Sequence, residues 1–150
     1  MKYIATMIME TRMVDYVAGL LFCENGKYVA MVKKLTPVWQ LGKYNAIGGK
    51  IEPQEPPIEA MIREFREEAG VEYTNWKEFA ILEGDDWKVH FFSGFDDSVF
   101  TCMTMEAEEI LVDKVPSFLN SGHLMHNLKV LMPLALDTSG IALPVMLRHT

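Results

Sequence analysis

Apolar and polar positions divide this chain into strand-like and helix-like stretches. VDYVAGLLFC (14–23) and KYVAMVKK (27–34) are β-rich runs joined by Glu24-Asn25-Gly26. Asn-Gly between two such runs is a strong hairpin signal. TNWKEFAILEG (74–84) and DWKVHFFSGF (86–95) form a second antiparallel pair, turning at Gly84-Asp85. VFTCM (99–103) reads as another short strand, and the opening segment MKYIATMIMETRM reads as a first strand rather than a targeting signal. EEILVDKVPSFL (108–119) is a regular run that Pro116 should stop.

Two stretches carry helical periodicity. From Ile58, the residues Ile58, Met61, Ile62, Phe65 and Ala69 fall on one stripe about 100° wide, the width of a face pressed on a core. Pro56-Pro57 presets the first turn and Gly70 sits where a left-handed cap would end it, giving a helix over 57–69. The second helix spans about 122–136, with Ser121 as N-cap and Leu124, Leu128, Leu131 and Leu134-Ala135 at helical spacing. Pro133 limits its regularity near the end. The connection 35–52, LTPVWQLGKYNAIGGKIE, reads as a loop running into Gly48-Gly49.

The first helix has an unusual edge. Glu64, Glu67 and Glu68 share one sector beside the buried stripe, while Arg63 and Arg66 lie on the far side. Such like charges repel by roughly 0.2–0.5 kcal/mol per i, i+4 pair. A solvated acidic face is the ordinary outcome. A divalent cation offers another, since carboxylate oxygens are hard ligands suited to Mg²⁺ and Mn²⁺, with water and phosphate filling the shell.

The fixed residues of the region choose between them. Gly49, five residues, Glu55, seven residues and then Arg63-Glu64-Phe65-Arg66-Glu67-Glu68-Ala69-Gly70-Val71 resemble the Nudix box, G-x5-E-x7-REUxEExGU. Phe65 at an aliphatic position is the one loose fit. The resemblance, nearest to the nucleotide-sanitising (MutT-type) branch, implies an α/β chain folded as an αβα sandwich around a mixed central sheet. It implies hydrolysis of a nucleoside diphosphate derivative at its pyrophosphate bond, with Mg²⁺ or Mn²⁺. Glu64, Glu67 and Glu68 would be catalytic and metal-holding, with the Gly48 carbonyl as a further ligand. Glu67 or Glu68 would be the main anchor, and Glu64 would ligate or take the proton of the attacking water. Arg63 would orient the glutamates through Glu67, and Glu55 would brace the loop. Many such enzymes add one acid from outside the box, and Glu106 is favoured here over Glu108 and Glu109.

The substrate side draws on the loop before the box and on the second strand pair. Trp39, Tyr44 and Trp87 offer stacking faces, Asn45 a donor and an acceptor for a base edge, and Lys50 a cation for phosphate. Lys33 and Lys34 end a strand near the box and read first as solvated lysines. His123 and His126 lack a third partner for a metal site and read as surface or capping residues.

Composition narrows the range of functions. The 150 residues suit one domain, 1–150, with a core of its own. A net charge of −7 argues against an extended nucleic-acid surface or an anionic membrane as partner. No run approaches the ~20 apolar residues of a membrane span. Cys23 and Cys102 have no metal-like spacing and read as reduced thiols of a cytoplasmic protein, monomeric or homodimeric. The expected partner is a small nucleotide: first a nucleoside triphosphate, oxidised or otherwise non-standard, cleaved to monophosphate and pyrophosphate. ADP-ribose or a nucleotide sugar is the alternative substrate, and a silent nucleotide-binding module the alternative class.

Overall fold

The computed structural model describes residues 13–150. The strand expected at the amino terminus lies outside them. At the centre is β1 (Val14–Phe22), parallel to β6 (Trp87–Phe95) along its whole length. Its other edge is shared. At its end it pairs with β2 (Tyr28–Lys33) through Phe22↔Val29, and over Tyr16–Gly19 it pairs antiparallel with β4 (Ile47–Lys50). Beyond β2 lie β3 (Tyr44–Asn45) and β7 (Glu109–Lys114), both antiparallel to it. On the far side β6 pairs antiparallel with β5 (Lys77–Glu83), and β5 pairs parallel with β8 (Val145–Arg148). The sheet is therefore mixed, and both expected hairpins form.

A strand buried on both faces reads as nearly continuous apolar sequence, and β1 shows why. Ala18, Leu20 and Phe22 enter one core with α2 (Val115–Leu119) and α3 (Leu128–Leu136). Val17 and Leu21 enter the other, under α1 (Pro57–Ala69). These two cores make the αβα sandwich. In α1 the periodic residues Met61, Phe65 and Ala69 are fully buried, while Ile58 and Ile62 pack at the margin. Gly70 closes the helix at φ 74°, its N–H donating to the Arg66 carbonyl at 2.9 Å. A side chain there would be strained by that left-handed backbone.

The structure corrects several local readings. Residues 99–103 are not a strand: Asp97–Thr101 form a 3-10 turn, capped by the Asp96 side chain accepting from Ser98 N. The alternating apolar residues there serve a turn, with Val99 buried beneath it. The strand does end just before Pro116, at Lys114, and Pro116 then sits in the opening turn of α2, where its missing N–H costs nothing. The last helix begins at Leu128 rather than near 122. Ser121 Oγ instead accepts from His123 N in a turn, because the segment is drawn out to bond β3: Tyr44 N donates to His123 O and Met125 N to Tyr44 O. The 35–52 connection also holds more order than expected, with a 3-10 turn at Val38–Gln40 and strands β3 and β4. Gly48-Gly49 lies within a strand, not at a turn.

Phe65 has no exposed surface and stacks edge-on against Trp76 at 5.1 Å. Phe65→Ala should cost about 3–5 kcal/mol of folding stability, as large-to-small core changes of this kind do. Urea unfolding followed by circular dichroism measures it.

Candidate active site

The acidic edge of α1 is built around Arg63. Its Nε and one terminal nitrogen donate to both Glu55 oxygens at 2.8 and 2.9 Å. The other terminal nitrogen donates to Glu64 Oε1 at 2.8 Å and to Glu67 Oε2 at 3.3 Å. A further bond of 3.2 Å reaches the Lys50 carbonyl. The expected route through Glu67 is thus the longest of the hydrogen bonds to carboxylates, and Glu55 and Glu64 are the close partners. The hydrogen bond from Arg63 is the main reason the Glu55 carboxyl is held below its ordinary range. Glu55 also accepts from Glu52 N, so it ties the loop before α1 to the helix.

Glu64 lies directly on β4. A Cβ placed on Gly49 would fall 2.5–2.6 Å from the Glu64 carboxylate atoms, so any other residue there would push the carboxylate from this position. Burial raises the Glu64 carboxyl, opposed by the bond from Arg63 and aided by repulsion from Glu67 and Glu106. Glu68 is pushed up to about 8, chiefly by burial and then by Glu64, with Lys34 acting against the shift. Its Oε2 is buried and has no hydrogen-bond partner among the described residues. A desolvated carboxylate beside its neighbours is stabilised either by a proton or by a cation, and the donor set here, hard oxygens only, fits Mg²⁺ or Mn²⁺. No group of three His, Cys, Asp or Glu side chains among the described residues is already gathered as a metal cage. Mg²⁺ in particular is often held by one or two carboxylates, with water and phosphate completing its shell.

The three acids outside the box separate cleanly. Glu106 is exposed and adds its field to both Glu64 and Glu68. Glu109 is the first residue of β7, opposite Lys33. Glu108 is already occupied: Lys34 Nζ donates to it at 2.9 Å, Leu35 N at 2.6 Å and Thr36 N at 3.3 Å.

On the α3 side of the sheet a cavity of about 570 Å³ reaches from Gly48 and Gly49 to Trp87. Gly49 borders both this cavity and the Glu64 carboxylate. Trp39, Asn45 and Trp87 line the cavity, as do Lys34 and Gln40, whereas Tyr44 and Lys50 are not among its lining residues. Tyr44 packs its ring against Phe118 at 5.3 Å, and Lys50 offers its carbonyl to Arg63. The Asn45 amide is engaged at both ends, accepting from Ala46 N at 2.8 Å and donating to Gln40 Oε1 at 3.1 Å, with one N–H and one lone pair left over.

One lining residue escaped the sequence reading. Asn127 borders the cavity, and its Oδ1 is buried with no hydrogen-bond partner among the described residues. Placing the helix start near 122 hid it inside a regular run. Its position just before the apolar Leu128, where asparagine often caps a helix, was the available signal.

In metal-free protein the Glu68 shift has a defined sign. A folded value of about 8 lies above the ordinary 4.5, so the folded state keeps a proton that the unfolded chain sheds. That contribution is fully present below the unfolded value and lost as pH rises through about 8. With EDTA present, Tm should fall from pH 5 to pH 9, and Glu68→Gln should flatten the fall. Differential scanning fluorimetry across that range reads both.

A family profile described as NUDIX domain matches residues 14–118. The CTP pyrophosphohydrolase of Escherichia coli (strain K12) is 33% identical over 63 residues, 42% of this chain. The chain spans 45% of the length of that relative. Among solved structures, a MutT from work on the Aliivibrio salmonicida and Vibrio cholerae proteins superposes with a TM-score of 0.71. It is 21% identical and covers 83% of this chain and 98% of its own. A Nudix-family hydrolase from Clostridium perfringens gives 0.68 at 20% identity, covering 85% and 99% respectively. The E. coli ORF135 protein gives 0.64 at 21%, covering 88% and 97%. At these identities the structures speak for the fold. With the family profile covering most of its length, this chain belongs to the Nudix family of hydrolases.

Proposed function

We propose that this protein hydrolyses a nucleoside triphosphate to the monophosphate and pyrophosphate, using Mg²⁺ or Mn²⁺. The observation that carries this reading is that Gly49 borders both the cavity and the Glu64 carboxylate, with a Glu68 oxygen on the same helix edge unpartnered among the described residues. A nucleotide lying in the cavity would bring its phosphates to the carboxylates past Gly49. Water adds to phosphorus, the P–O bond between the α- and β-phosphates breaks, and the proton of the water passes to a carboxylate.

The bound cation would neutralise phosphate oxygens and lower the pKa of the attacking water. Glu67, Glu68 and the Gly48 carbonyl would hold it, with Glu106 reaching in from the loop before β7. Arg63 occupies Glu64 Oε1. The remaining oxygen of Glu64 then serves either as a ligand or as the acceptor of the proton. Lys34, at the cavity wall, supplies positive charge towards the phosphates.

Two features guide the choice of base. The relative of stated activity is a CTP pyrophosphohydrolase, and Asn127 Oδ1 at the cavity, unpartnered among the described residues, is an acceptor. An acceptor suits a base bearing an exocyclic amino group, such as cytosine or adenine. Trp39 and Trp87, both lining the cavity, offer stacking faces.

Release of pyrophosphate from a nucleotide panel that includes oxidised purines, with products identified by mass, tests the reaction. AMP plus a sugar phosphate from ADP-ribose, or no metal-dependent turnover at all, would replace this reading by one of its rivals. Glu67→Gln and Glu68→Gln should each lower kcat by about 100-fold or more if metal-assisted stabilisation worth a few kcal/mol is lost. Near-normal turnover at saturating Mg²⁺ in both would remove them from the site. Asn127→Ala should cut kcat/KM for CTP about 10-fold or more relative to UTP, the cost of one lost hydrogen bond to a base amino group. An equal loss for both nucleotides would return Asn127 to a role in the turn before α3.

A further inference from the structure

The loop between β2 and β3 lines the cavity yet has little to hold it down. It leaves the sheet at Lys34 and returns at Lys43, closed at its neck by Lys34 N donating to Lys43 O and Gly42 N to Lys34 O. Its internal bonds are those of a short 3-10 turn. Its apolar side chains bury little: Val38 is 85% exposed, Trp39 65% and Leu41 60%. Hydrophobic burial, the usual anchor of a surface loop, is therefore weak here.

A single carboxylate takes its place. Lys33↔Glu109 is the last register pair between β2 and β7, so Glu108 stands just beyond it, beside the first residues of the loop. Its Oε2 accepts from Leu35 N and Thr36 N, and its Oε1 accepts from Lys34 Nζ. Both oxygens are committed, and a cation would have to displace these donors to use them. The anchored segment leads directly to Pro37, Trp39 and Gln40 at the cavity wall, and Gln40 accepts from Asn45. Lys34 itself borders the cavity and acts on Glu68 through its charge.

We propose that Glu108 is a positioning residue for the substrate loop, setting Lys34 and the Pro37–Gln40 wall relative to the carboxylates of α1. The role rests on the nucleotide-hydrolase reading for what the loop receives. The anchoring itself can be measured without turnover. Glu108→Gln keeps the shape of the side chain, gives up the charge that holds Lys34 and weakens both amide bonds.

The test combines three measurements on the full chain. Amide hydrogen exchange at Leu35 and Thr36 should accelerate in Glu108→Gln, while β1 and β6 keep wild-type protection and so report an intact fold. Affinity for a non-hydrolysable CTP analogue, and KM for CTP, should weaken about 10-fold or more, the size expected for losing a charge-assisted bond. kcat at saturation and the Mn²⁺ half-saturation concentration should stay within about twofold, the scatter of ordinary surface changes. Lys34→Met, which leaves the two amide bonds in place, should leave exchange at Leu35 and Thr36 near wild type. If Glu108→Gln lowers kcat and raises the Mn²⁺ requirement, Glu108 is a metal ligand and the proposal falls. It also falls if exchange accelerates with unchanged analogue affinity, because the loop would then not position substrate. Absence of hydrolysis in the wild type would overturn the proposed reaction alone, since exchange and analogue affinity still decide the role of Glu108.

Discussion

Everything at this site leans on one guanidinium. Arg63 touches Glu55, Glu64, Glu67 and the Lys50 carbonyl, so one side chain joins the loop before α1, the helix itself and the end of β4. An exposed ion pair contributes roughly 0–1 kcal/mol. This network is different in kind, because Arg63, Glu55 and Glu64 keep only 17%, 14% and 15% of their side-chain surface. Removing the cation would leave several partly desolvated carboxylates facing one another, a costlier state than the pairs are worth. Arginine suits the task through its fixed fork of donors, which a lysine lacks.

Arg63 satisfies Glu55 and half of Glu64, and it does not satisfy Glu68. That asymmetry defines the site. The stability of the fold comes from elsewhere, from two apolar layers on either side of β1. They hold α1 against the sheet firmly enough that its acidic edge stays partly buried despite the repulsion. Burial and repulsion together push the Glu68 carboxyl up, and its Oε2 has no hydrogen-bond partner among the described residues. The strength of the hydrophobic cores is therefore what keeps the carboxylates poised.

The same reasoning separates the two acids near the box. Glu106 is free in solvent and adds repulsion to the α1 carboxylates, whereas Glu108 is consumed by a lysine and two backbone amides. Two residues apart, they have unlike environments. The difference arises because β7 begins at Glu109, and the residue before it meets the loop leaving β2.

Periodicity and turn chemistry determined a good deal by themselves. The helix over 57–69, its buried stripe, its cap at Gly70 and both hairpins follow from local spacing, since each depends on neighbours within a turn or two of chain. The spacing of Gly49, Glu55 and the Arg63–Val71 run was enough to identify the family and, with it, the sandwich. Tertiary structure decided the rest. The start of the last helix moved to Leu128 because residues 123–125 bond Tyr44, a partner some eighty residues earlier in the chain. Asn45 and Tyr44, adjacent in sequence, point into different surroundings because they sit on a strand, where successive side chains alternate. Asn127 entered the cavity wall, and Glu108 met Lys34 and two backbone amides, through contacts between distant segments. Local spacing carries no information about such contacts, because they exist only after two hydrophobic cores have brought the segments together.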